Sequence, residues 1–191
     1  MARWEPNARE RLVRSAVELF AEQGYEATTV TEIAERAGGL TKTTFFRHFA
    51  DKREVLFAGQ EIHGRIVAEA IAEAPASATP LEMVGLALDG LASSFTEDRR
   101  DIGRKLRTVV AHSAELQERS AAKRAALSET MARALRTHGV SELVADLAAD
   151  LGVRAFYRAF DQWASSADSR TLVEYVPAVF SELKTAVSVL E

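Results

Sequence analysis

The stretch Thr28–Phe57, TTVTEIAERAGGLTKTTFFRHFADKREVLF, constrains the fold more than any other part of the chain. Thr29 and Glu32 have the spacing of a capping box, in which each side chain serves the other residue's backbone at a helix start. Val30, Ile33, Ala34 and Ala37 then recur at helical spacing. Gly38 and Gly39 stop that helix where a left-handed backbone is needed. Thr41 can cap a second short helix, on which Phe45 and Phe49 share one face at i, i+4. Asp51 and Glu54 repeat the capping spacing and start a third helix. Two short helices on a tight glycine turn are a helix-turn-helix, an arrangement whose second helix enters the major groove of DNA.

The rest of the chain reads as helix throughout. Met1–Asn7 is a short arm in which Arg3 can reach a phosphate or the minor groove, or simply fray. Asn7 can cap a first helix to about Gln23, with Leu12, Val13, Ala16, Leu19 and Phe20 on its apolar face. The helix begun at Asp51 is expected to run to Ala74, linking the first segment to the body. Pro75–Pro80 is a loop, and Thr79, Pro80 and Glu82 open the next helix. Further helices are expected over about 98–110, 114–138 and 141–163, and one from about 170 to the C-terminus. With no alternating apolar pattern in the 191 residues, the chain is expected to be all-α, about nine helices.

Charge matters because a nucleic-acid partner prefers a basic surface. The net charge is −4, yet residues 1–57 hold nine basic and nine acidic side chains and are neutral. Binding to DNA would then rest on placement: Lys42, Arg47, His48, Lys52 and Arg53 fall within twelve residues, opposed only by Asp51. The absence of cysteine excludes disulfides and thiolate metal sites. The polar opening and the lack of a long apolar run predict a cytoplasmic protein with no membrane partner.

The Thr28–Phe57 stretch resembles the TetR family of bacterial transcriptional regulators. The resemblance is carried by Tyr25, Thr29-Val30, Ile33-Ala34, Ala37-Gly38, Thr44-Phe45-Phe46, His48-Phe49, Lys52 and Leu56. Two departures stand out. Gly39 is one residue more than the family's turn usually holds, and Phe46 occupies a position usually given to tyrosine, so no hydroxyl is there to donate. The resemblance implies a DNA-binding domain over residues 1–50 and an effector-binding and dimerisation domain over 51–191. It places Thr44, Phe46, His48 and Lys52 near phosphates and Lys42, Thr43 and Arg47 nearer bases; Thr29, at a helix N-terminus, can also bind a phosphate through its backbone N–H. It further implies a homodimeric repressor released from a palindromic double-stranded operator by a small-molecule effector.

For the effector, the candidate pocket residues are His63, Phe95, His112, Phe156, Arg158, Phe160, Asp161 and Trp163; such an aromatic stripe can equally be plain core. The run Arg99, Arg100, Arg104, Lys105 and Arg107 reads as a solvated face or as a surface for an anionic effector such as an acyl-CoA. For the dimer, Leu172, Val176, Val179, Leu183, Val187 and Leu190 make a near-coiled-coil seam, with Pro177 as its weak point. The four histidines are scattered and form no metal motif, and no nucleophile elbow or phosphate loop is present. No catalytic residue, metal or cofactor is therefore expected. The alternative reading is a helical small-molecule-binding protein without specific DNA binding.

Overall fold

A computed structural model describes residues 7–189, with Asp98 traced by its backbone alone. The Arg3 arm and Leu190 lie outside the described residues. Nine α-helices are present among the described residues, with no strand: α1 Ala8–Gln23, α2 Val30–Arg36, α3 Lys42–His48, α4 Gln60–Ala72, α5 Pro80–Ser93, α6 Arg100–Ala111, α7 Ala114–Thr137, α8 Glu142–Ser165 and α9 Leu172–Ser188. They form two compact units. One holds residues 7–58 together with 101–120; the other holds 59–100 and 121–189.

In the first unit, α1 buries Leu12, Ala16, Val17, Leu19 and Phe20. Asn7 stands at its N-cap position but makes no side-chain cap bond; its φ of 73° is left-handed, a region asparagine tolerates. The capping box of α2 is complete. The Glu32 backbone N–H donates to Thr29 Oγ1 at 3.2 Å, and the Thr29 N–H donates to the Glu32 carboxylate at 2.7 Å. The turn after α2 uses both glycines with positive φ, 98° at Gly38 and 74° at Gly39. It closes through Gly39 N–H to the Glu35 carbonyl and Leu40 N–H to the Ala34 carbonyl. Thr41 then caps α3 by accepting from the Thr44 N–H at 3.1 Å. Phe45 is fully buried and Phe49 nearly so, which fixes the side of α3 turned to solvent.

The helix expected from Asp51 to Ala74 is not continuous. A 3-10 turn covers Arg53–Phe57, and α4 starts only at Gln60. Val55, Leu56 and Phe57 are all buried, at 0%, 5% and 5% exposure. The second capping box is half made. Asp51 accepts from the Glu54 N–H, but the Glu54 carboxylate takes two bonds from Arg119 at 2.6 and 2.9 Å. Val109 of α6 and Leu116 of α7 complete this core.

The second unit packs α5 against α4, α8 and α9, and pairs α8 with α9 as a hairpin. Thr79 and Glu82 form the expected capping box, with Pro80 in the first turn of α5. Gly152 permits the close pass of α8: a Cβ there would meet Val84 Cγ1 at 2.5 Å. α9 runs unbroken through Pro177.

Candidate nucleic-acid interface and effector cavity

With Phe45 and Phe49 turned inward, α3 presents Lys42, Thr43, Phe46, Arg47 and His48 to solvent. Phe46 is a large apolar side chain left 46% exposed. It stands edge-on to Phe45 at 5.5 Å, and the Lys42 ammonium lies 5.9 Å from its ring centre. Five of the eight sequence-predicted DNA residues thus share one exposed surface. The other three are held differently. Thr29 serves its capping box. Thr44 is half-buried, its hydroxyl 3.0 Å from that of Thr41. Lys52 sends its ammonium inward, donating to the carbonyls of Tyr25 at 2.6 Å and Thr28 at 3.0 Å and lying 4.2 Å from the Tyr25 ring centre. Burial, with the Glu115, Asp51 and Glu26 carboxylates nearby, pushes the Tyr25 phenol up to about 12, so it stays neutral.

The second unit contains a cavity of about 340 Å³. Its walls are Gln60, Glu61, His63 and Gly64 of α4 and Lys123, Ala126, Leu127 and Thr130 of α7. The His63 imidazole folds back over Gly59, where a Cβ would meet its Cε1 at 2.8 Å. Burial, then the charges of Lys123 and Arg99, lower its pKa to about 4, so the ring is neutral at pH 7.

Only His63 of the eight predicted pocket residues lines this cavity. Phe95 lies behind it, 5.1 Å from the His63 ring, and continues to Phe156 at 5.7 Å and Phe160 at 5.6 Å. Trp163, fully buried, follows 5.7 Å from Phe160. These aromatics belong to the core of the second unit. Arg158 is exposed and Asp161 half-buried. His112 belongs to the first unit, is exposed, and bonds the Thr108 carbonyl of its own helix at 2.7 Å. Sequence reasoning missed Lys123 and Thr130. Their spacing with Ala126 and Leu127 on one face of α7 was the available signal.

The expected dimer seam is divided. Leu172, Val176 and Val179 are each 1% exposed, facing their own chain's core. Leu183 is half-buried, and Val187 is 49% exposed. The apolar side chains left outward on these helices include Leu143, Val144 and Leu147 of α8 and Val173 and Val187 of α9.

The basic run is divided: Arg99, Arg104 and Arg107 are exposed, whereas Arg100 is buried. Arg100, 7% exposed, donates to the carbonyls of Asp168 and Arg170 and lies 5.2 Å from the Trp163 ring centre. Its guanidinium also meets Glu97 at 2.9 Å. Lys105 pairs with Asp101 at 2.9 Å. Among the described residues, no helix is long and apolar enough to cross a membrane.

The family profile of bacterial regulatory proteins, tetR family, matches residues 12–58. The transcriptional regulator TcmR of Streptomyces glaucescens is 45% identical over 74 residues, 39% of this chain and 32% of TcmR. The chain therefore spans about a third of the length of that relative. A helix-turn-helix transcriptional repressor of Mycobacterium tuberculosis is 32% identical over 139 residues, 70% of each chain. The fold is similar to that of a TetR-like transcriptional regulator from Rhodococcus sp. RHA1, with a TM-score of 0.56, 22% identity, and coverage of 97% of this chain and 99% of the other.

Proposed function

The chain belongs to the tetR family of bacterial regulatory proteins, and from that premise we propose that it is a DNA-binding transcriptional repressor of the cytoplasm. Two copies read the half-sites of a palindromic operator, and a small molecule in the second unit releases them. The observation that carries this reading is the exposed side of α3. Lys42, Thr43 and Arg47 project from a helix anchored by Phe45 and Phe49, and Arg47 and Lys42 have the donors that recognise guanine. Thr29, Thr44, Phe46 and His48 flank phosphates, and the remaining N–H of Lys52 can add one contact. Residues 1–50 act as the DNA-binding domain, and 51–191 bind effector and dimerise. The outward apolar side chains of α8 and α9, Val187 among them, support a two-fold interface, with half-buried Leu183 on the same helix.

Selection from random duplexes, followed by fluorescence anisotropy across salt concentrations, tests the proposal. Log K is expected to fall linearly with log salt. Arg47→Ala should relax discrimination at one position per half-site by about 1–3 kcal/mol. Binding to no duplex at low salt would reject it.

A further inference from the structure

The cavity between α4 and α7 is biased toward negative charge. Lys123 stands on its wall, and the charges of Lys123 and Arg99 both act on His63. The one carboxylate on the wall, Glu61, is exposed. The imidazole lies over Gly59, with the Phe95 ring 5.1 Å away and tilted by 37°. Thr130 adds a hydroxyl, although it already donates to the Ala126 carbonyl at 2.8 Å and so offers its lone pairs rather than its proton. Leu127 and Ala126 give the cavity an apolar floor. Its volume is at the small end of ligand pockets, which span about 300–1,000 Å³.

We propose that this cavity takes a small organic acid, its carboxylate set between Lys123 and His63 and its apolar part on Leu127 and Ala126. The proposal rests on reading the second unit as effector-binding, and it names the class of effector. A carboxylate leaving water needs charged or N–H donors around it. Lys123 supplies an ammonium, and the His63 ring supplies an N–H. A neutral amide of the same shape gains no ion pair from Lys123. A carboxylate beside His63 also favours the charged imidazolium, so binding takes up a proton. Affinity then rises as pH falls toward the free ring's value of about 4, and titrations between about 7.5 and 5.5 read that rise above the ordinary carboxylic acid range. The charges facing the ring are Lys123 from α7, Arg99 from the segment before α6, and Glu61 on its own helix.

Calorimetry on the purified full chain tests this with benzoate and hexanoate, and with benzamide and hexanamide as neutral isosteres. Each acid is expected to bind once per chain, at least about tenfold more tightly than its amide. Lys123→Met should remove that preference. His63→Gln should remove the pH dependence, which in the parent protein is at most about tenfold per pH unit for one proton. Gly64→Val, which projects a side chain toward Thr130, should fill the space and weaken both acids even if Lys123→Met fails to fold. Equal binding of acids and amides, no binding of any of the four, or a preference that survives Lys123→Met would overturn the proposal. Because the readout needs no DNA, a chain that binds acids but no duplex would sink the repressor reading alone. One that binds duplex but no acid would sink only this inference.

Discussion

Lys52 turns its charge away from solvent, toward two carbonyls at the corner between α1 and α2. Lys52→Ala leaves those acceptors without their partner, and a loss of about 1–3 kcal/mol in urea unfolding is expected. Unchanged stability would mean that water replaces the ammonium at no cost. The sequence pointed to a phosphate contact because the carbonyls lie 24 and 27 residues earlier, and no local pattern links them to Lys52. Arg100 repeats the lesson: its partners are 68 and 70 residues away, so a basic run hides a buried anchor. His63 gives a pH dependence. Its folded pKa, about 4, lies below the ordinary value near 6.5, so the folded state binds fewer protons than the unfolded one between those limits. The stability of the effector-free protein should therefore fall as pH drops from about 6.5 to about 4, and level off below. Melting temperatures across that range should show a shallower fall in His63→Gln.

At the level of elements, the helices were legible because their ends are written in short-range chemistry. Thr29 with Glu32, Thr41, and Thr79 with Glu82 all cap where their spacing predicts. The break at Ala58–Gly59 was not legible: the capping pair at Asp51 and Glu54 predicts a helix start but says nothing of where the 3-10 turn Arg53–Phe57 gives way to α4. Asn7 and Glu54 show the same limit, each with capping chemistry that the surroundings redirect. Gly39 can be tested alone. Its φ of 74° suits glycine, and a Cβ there meets nothing within 4 Å, so any cost of Gly39→Val comes from the backbone. That cost is expected to be about 1–2 kcal/mol, read in thermal unfolding, with weaker operator binding if α3 shifts. A Gly39→Val protein of parental stability would show that the turn relaxes to another conformation.

For the molecule as a whole, the division of α9 separates two roles that an apolar stripe alone could not. Val176 is 1% exposed and Leu147, on α8, is 62% exposed. A charge at Val176 should unfold the second unit, since burying it unpaired is costly. Leu147→Glu should leave the chain folded and split the proposed dimer. Sedimentation and circular dichroism of the two variants distinguish these outcomes; a Leu147→Glu protein that stays dimeric would place the interface elsewhere. The all-helical class and the helix-turn-helix could be read from periodicity and caps. The cavity could not, since its walls come from residues 60–64 and 123–130, brought together only by folding.

The core of the first unit is assembled from two stretches of chain, and this bears on how the protein is made. Phe57 emerges from the ribosome long before Val109 and Leu116, which share its core. At synthesis rates of about 5–20 residues per second, the first unit's core waits several seconds for its last members. A fragment ending at residue 58 would stay in that condition permanently. Expressed alone, it should be prone to aggregate, whereas adding residues 59–120 supplies the missing segments. The unit that carries α3, although its first segment is encoded early, is complete only after more than half of the protein has been translated.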